Sequence, residues 1–184
     1  MTEEKPNRFL KTNPENGDFN QYWYSEKTIA TIVAEVEAQG ASKVACISCP
    51  SIYFSLPQSI RDSSFVFDFD DKWARDRGFV HYDFRCPEQL PASLLHTFDF
   101  LVIDPPFITR DVWTKYAEAV RLLAKDGAKI LCSSIAENAA MLKEMVDVSP
   151  VTFMPSIPHL VYQYNFYTNF PPTVLRESNP EIPM

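Results

Sequence analysis

The residues best placed to do chemistry are Asp104-Pro105-Pro106-Phe107, which follow directly on the apolar run Phe98 to Ile103. Two consecutive prolines remove two backbone donors and stiffen the turn, leaving the carbonyls of Asp104 and Pro105 free to accept hydrogen bonds. Such a turn suits a substrate that donates N–H bonds. An amino group held between the Asp104 carboxylate and the Pro105 carbonyl keeps its lone pair aimed at an electrophile, with Phe107 as an apolar or stacking wall. Further carboxylates close two other apolar runs, Asp68 and Asp70 after Phe65, and Asp83 after Phe79 to Tyr82. A carboxylate at the end of the second strand is the usual partner of ribose hydroxyls in nucleoside-binding α/β sheets. Asp68 and Asp70 lie two apart and share one face of a strand. Asp70, nearer the rim, is the first choice and Asp68 the second, against the plain reading of a solvated acidic turn.

These groups act together only if the elements before them share one sheet. Ser25 caps a helix whose Ile29, Ile32, Val33 and Val36 follow a 3.6-residue period, and Gly40 stops it. Lys43 to Cys49, ended by Pro50, reads as a buried strand, followed by strands at Phe65 to Phe69, Phe79 to Tyr82 and Phe98 to Ile103. Val112, Tyr116, Val120 and Leu123 stripe a helix over Thr109 to Ala124, which Gly127 is expected to close. Lys129 to Cys132 is a further strand, and Ser134 with Glu137 predicts a capping box for a helix reaching about Val146. The runs Val148 to Met154 and Tyr162 to Asn169 predict an antiparallel pair at the sheet's edge. Strands alternating with helices specify an α/β fold, a mainly parallel doubly wound sheet with a C-terminal antiparallel hairpin. Ligands of such a sheet lie outside the carboxyl ends of its strands. One domain is expected over 18–175, with flexible segments at 1–17 and 176–184.

The composition narrows the chemistry. Of 184 residues, 24 Asp and Glu outnumber 17 Lys and Arg, for a net charge of -7, which argues against a stand-alone nucleic-acid clamp. The four glycines, Gly17, Gly40, Gly78 and Gly127, are far apart, which excludes the Walker-type loop and the GxGxxG turn. No window approaches the roughly 18 apolar residues that span a bilayer, so a soluble, intracellular, cytoplasmic protein without membrane partners is expected. Cys46, Cys49, Cys86 and Cys132 fit a reducing compartment. The Cys46–Cys49 pair reads as buried apolar residues, since a zinc site needs a second close pair of ligands and a redox pair should open a helix. His81, His96 and His159 are scattered and predict no metal site; only His159, in a proline-rich loop, is placed to meet substrate. Tyr162, Tyr164, Phe166, Tyr167 and Phe170 read as core and edge packing before base stacking.

The DPPF turn is similar to the [DN]PP[FYW] signature of amino-group methyltransferases that use S-adenosylmethionine. The wider ordered set is Gln21-Tyr22-Trp23-Tyr24-Ser25, Val44 to Ser51, Phe67-Asp68-Phe69-Asp70, Tyr82-Asp83, and Phe98-Asp99 leading into Asp104. It resembles the elongation factor 1A lysine methyltransferase family, once labelled adenine-N6 DNA methyltransferases, from about Gln21 to Asn169. The resemblance implies a Rossmann-like class I methyltransferase fold, S-adenosyl-L-methionine as cofactor, and methylation of a lysine ε-amine on the translation factor; a monomer is expected. Carried over by position, Asp70 holds the ribose, Asp83 the adenine amino group, and the Ser48 to Ser51 turn, with Ser48 and Pro50, passes the methionine part. Gln21 joins the cofactor-binding set, and Trp23 and Tyr24 line the cofactor or substrate entrance. Asp104, Pro105, Pro106 and Phe107 form the catalytic turn. Phe107 stands where some relatives carry tyrosine, which keeps the wall and drops a hydroxyl.

The methyl sulfonium is already reactive, so such a protein mainly aligns the nitrogen and excludes water. A lysine must also shed a proton, which costs roughly 4.6 kcal/mol from a pKa of about 10.4 to neutrality. Asp104 is expected first as a positioning group, with proton removal by Asp104 or through water as the second reading. Three functions stand: protein lysine methylation, adenine-N6 methylation of RNA or DNA, and a non-catalytic partner-binding role. An acidic rim suits a cationic lysine on a basic protein better than a phosphate backbone. An accessory subunit supplying a basic surface is what the RNA reading needs.

Overall fold

The computed structural model describes residues 5–183. Seven strands form one sheet in the order β3-β2-β1-β4-β5-β7-β6. They are β1 (Val44–Ile47), β2 (Phe65–Asp68), β3 (Phe79–His81), β4 (Phe98–Ile103), β5 (Ala124–Ile135), β6 (Ser149–Pro150) and β7 (Tyr164–Thr168). The first five pair in parallel, and β7 runs antiparallel between β5 and β6. The helices are α1 (Arg8–Thr12), α2 (Glu26–Ala38), α3 (Pro50–Tyr53), α4 (Gln58–Arg61), α5 (Arg110–Leu123) and α6 (Ala139–Val146).

Period-two alternation sends the strand side chains to two separate cores. Val44, Cys46, Val66 and Val102 face Ile29, Ile32 and Val36 of α2 and Ile52 of α3. Ala45, Ile47, Phe67, Leu101 and Ile103 face Trp113, Tyr116 and Val120 of α5 and Leu142 of α6. Ser25 caps α2 by accepting from the Thr28 N–H, and Thr109 caps α5 by accepting from Val112. Among the described residues, no helix is long and apolar enough to cross a membrane.

Two local expectations give way to tertiary pairing. The helix α5 ends at Leu123, and Gly127 (φ 75°) does not close it. That glycine lies in a register break of β5, where Phe98 pairs with Ala124 but Phe100 with Lys129. The Ser134–Glu137 capping box does not form, because β7 extends the pairing of β5 through Ser134 and Ile135. The helix α6 starts at Ala139 instead, after a 3₁₀ turn at Ala136–Asn138. The expected antiparallel pair at the sheet's edge is β6 with β7, the two-residue β6 lying outermost, where Pro150 costs no ladder bond inside the sheet.

Residues 1–4 and 184 of the segments expected to be flexible lie outside the described residues. Within the rest, Phe9 of α1 is buried against Trp23, Phe54 and Trp73. Near the other end Asn179 is buried and donates to the Met154 carbonyl.

Candidate active site

Three backbone hydrogen bonds continue the parallel ladder past the carboxyl ends of the strands. Tyr82 N donates to Asp68 O at 2.9 Å, Ser48 N to Phe67 O at 2.8 Å, and Asp104 N to Ile47 O at 3.1 Å. They tie the ends of β3, β2, β1 and β4 into one rim that carries Asp83, Asp70, Ser48 and Asp104. Ser48 holds a left-handed conformation at φ 60°. For a residue with a Cβ that costs roughly 1 kcal/mol. Its hydroxyl pairs with the Tyr116 hydroxyl at 2.7 Å, which anchors the glycine-free turn to α5.

The rim encloses a cavity of about 380 Å³. It brings together Gln21, Trp23, Ser48, Pro50, Asp70, Asp83, Asp104, Pro105, Pro106 and Phe107, all expected from the sequence. Two expected neighbours lie elsewhere: Tyr24 and Ser51 are both buried outside the lining. Asp68, the second choice for the ribose, lines the cavity too, and the structure adds Asp18, Phe19, Asn20, Tyr22, Phe69, Tyr82, Phe84, Arg85, Tyr116, Ile157, Leu160 and Tyr164 to the wall.

At the DPPF turn, Asp104 Oδ1 accepts from Ser133 Oγ at 2.7 Å, and Ser133 Oγ lies 2.8 Å from the buried Tyr24 hydroxyl. Burial pushes the Asp104 carboxyl up to about 7, while the hydroxyls of Ser133 and Tyr24 pull the other way. The side-chain amide of Asn20, a residue at φ 52°, donates to the Pro106 carbonyl. Asn138 Nδ2 donates to the Ile108 carbonyl at 2.9 Å, fixing the chain just past the turn. The carbonyls of Asp104 and Pro105 have no hydrogen-bonded partner among the described residues, as the paired prolines predict. Phe107 is 49% exposed and forms part of the mouth.

On the opposite wall, Asp70 Oδ2 accepts from Gln21 Nε2 at 3.0 Å, and its Oδ1 accepts from Lys72 N. Asp68 is more deeply buried, with Oδ1 accepting from Asp70 N at 2.9 Å, and burial pushes its carboxyl up to about 7. Asp83 is held by the Arg85 guanidinium, with Nη2 2.7 Å from Oδ2, and this contact keeps its carboxyl below the usual range. Five aspartates therefore face the cavity against one arginine that already has its partner.

The remaining candidates are divided between the cavity lining, the core and the outer surface. Trp23 lines the cavity but turns its indole N–H to the Asn13 carbonyl. His81 pairs with Asp71, and His159 with Glu15, outside the lining. Cys46 and Cys49 are both buried and unbridged, and the Cys49 thiol donates to the Val102 carbonyl. Of the C-terminal aromatics, Phe166, Tyr167 and Phe170 are core, Tyr164 reaches the cavity, and Tyr162 is 62% exposed.

The sequence model of the family described as "Probable N6-adenine methyltransferase" matches residues 15–172. Among curated proteins, the chain is 36% identical over 149 residues to EEF1A lysine methyltransferase 1 of Bos taurus, covering 77% of this chain and 64% of that one. It is 32% identical over 164 residues to the Homo sapiens protein of the same name, covering 85% and 75%. Among solved structures, it resembles the Burkholderia thailandensis 1,6-didemethyltoxoflavin-N1-methyltransferase with bound S-adenosylhomocysteine. That match has a TM-score of 0.53 at 14% identity and covers 78% of each chain. The likeness shows the class I methyltransferase fold.

Proposed function

The chain belongs to the family described as "Probable N6-adenine methyltransferase", and from that premise we propose that it methylates a lysine ε-amine of a protein with S-adenosylmethionine. We take translation elongation factor 1A as the substrate and the cytoplasm as the place, with the enzyme acting as a monomer. The observation that carries the choice of lysine is the cavity wall, which among the described residues has five aspartates and no free cation. A cationic side chain enters such a site with its charge complemented, whereas a nucleic acid brings phosphates to it. The names of the bovine and human relatives support the same reading.

The cavity suits the cofactor in size and in donor chemistry, since pockets for small molecules run from about 300 to 1,000 Å³ and this one measures about 380 Å³. In this reading Asp70, with Asp68 as the second choice, accepts from the ribose hydroxyls and Asp83 from the adenine amino group, with Ser48 and Pro50 beside the methionine part. When bound, S-adenosylmethionine supplies the electrophilic methyl group.

The chain's own residues then act on the nitrogen. The Asp104 carboxylate and the Pro105 carbonyl accept N–H bonds from the incoming amine and orient its lone pair. Phe107 shields the channel and limits water. With its carboxyl near 7, Asp104 is also a better proton acceptor than an ordinary aspartate. Transfer from a lysine at about 10.4 is uphill by roughly 4.6 kcal/mol, against roughly 9 for a carboxyl at its usual value.

The family's description favours a second reading, adenine-N6 methylation, and one assay separates the two. Purified elongation factor 1A, adenine-containing RNA and duplex DNA are each incubated with the protein and labelled cofactor, with acceptor sites read by mass spectrometry. Methyl-lysine in the factor supports the proposal. Methyladenine, with the factor left unlabelled, overturns it.

A further inference from the structure

We infer that Ser133, backed by Tyr24, is a positioning residue that holds Asp104 ionised and oriented for the substrate amine. The inference rests on the role proposed above for Asp104. Ser133 is 1% exposed on β5, and its Oγ lies 2.7 Å from Asp104 Oδ1 and 2.8 Å from the Tyr24 hydroxyl. An ionised carboxylate only accepts, so Ser133 must donate to Oδ1, and its lone pair is then left to accept from Tyr24. Proton directions along the chain are therefore fixed from the carboxylate inward. Tyr24 is 2% exposed and packs on Phe166, so the chain ends in the core. A path without a solvent end cannot drain a proton. It can fix a rotamer and stabilise a charge.

Asp104 needs such support because, among the described residues, no cationic side chain acts on it. The titratable groups that face it are Tyr24 before α2, Cys49 after β1, Tyr116 on α5, Cys132 on β5 and Tyr164 on β7. All are neutral at physiological pH, and burial raises each further from ionising. Asp68, across the cavity, adds a like charge when ionised, and Arg85 is bound to Asp83. With no cation in place, the two hydroxyls are what offset the cost of burying the ionised form, until the substrate's ammonium arrives.

The test is the pH profile of single-turnover methyl transfer in Ser133→Ala, Ser133→Thr and Tyr24→Phe, with cofactor affinity measured by calorimetry on each. The substrate's own lysine titrates alike with every variant, so differences between profiles report on Asp104. Losing a hydrogen bond to a charged group should move the acid limb of Ser133→Ala up by about 1 pH unit. Tyr24→Phe should move it less and in the same direction, and Ser133→Thr should restore the wild-type limb. Cofactor affinity should stay within a few-fold throughout. If Ser133→Ala binds cofactor but keeps the wild-type limb, the inference fails. Should Ser133→Ala not bind, an unmoved limb in Tyr24→Phe overturns it equally. Asp104→Ala, run alongside, separates the two ideas: near-normal transfer there defeats the role of Asp104 itself, whereas an inactive Asp104→Ala beside an unmoved Ser133→Ala defeats only the positioning role of Ser133.

Discussion

Gln21 Nε2 donates to Asp70 Oδ2 at 3.0 Å, joining the segment before α2 to the end of β2 across one wall of the cavity. The contact leaves Asp70 with lone pairs to spare, since a carboxylate offers about four acceptor positions. Asp70→Ala and Asp83→Ala should therefore each weaken S-adenosylmethionine binding by about 1 to 3 kcal/mol, the range for leaving polar groups unpaired. Calorimetry checks this, and unchanged affinity in both variants removes the cofactor from this wall. Asp68→Asn belongs in the same series. A larger loss there than in Asp70→Ala moves the ribose contact one pleat deeper.

The DPPF turn should separate rate from binding. Asp104→Ala should leave cofactor affinity within a few-fold of wild type and cut turnover by about 100-fold or more, the scale on which misaligned reacting groups lose rate. Phe107→Ala should also lower turnover. Phe107→Tyr should be mild, because the wall survives. Near-normal transfer by Asp104→Ala would make the turn a structural feature only.

Stability should respond to the buried carboxyl of Asp68, which burial pushes up to about 7. A raised value in the folded state means that folding disfavours the ionised form. The penalty is absent below the unfolded value of about 3.9, grows as pH rises, and is complete above the folded value. Asp68→Asn removes it, so the variant should be more stable than wild type by about 1 to 4 kcal/mol above pH 7, with the gain vanishing near pH 4. Urea denaturation across that range measures the difference, and a gain independent of pH contradicts the assignment.

Glu35 of α2 is fully buried and accepts from the backbone N–H groups of Thr173, Val174 and Leu175 at 2.8, 2.5 and 3.2 Å. Glu35→Ala strands three amides, which should cost about 2 to 5 kcal/mol. Faster proteolysis after β7 should accompany the loss. Wild-type resistance there would show that the C-terminal segment is held by its apolar contacts instead.

The residues that carry the rim were legible because each follows a strong strand signal. Phe98 to Ile103 is apolar at every position but Asp99 and runs into Asp104 and two prolines, so both the strand and the turn could be placed to the residue. Ser133 was not legible, since a serine inside an apolar strand gives no sign of what faces it across the sheet. Tyr24 shows the same limit: its place before α2 was clear, but whether the ring faces the cavity or the core depends on β5 and β7. The capping pattern at Ser134 and Glu137 is locally valid and loses to five residue pairs between β5 and β7. Phe9 sits in a polar segment, and its burial depends on Trp23, Phe54 and Trp73, which are distant in sequence.

The central claim is that the acceptor is a protein. Wild-type protein and Asp104→Ala are incubated with labelled S-adenosylmethionine and a cell extract, and the products are divided between protease and nuclease. The account predicts label that survives nuclease, disappears with protease and is absent with Asp104→Ala. Label that survives protease and is lost to nuclease would contradict it.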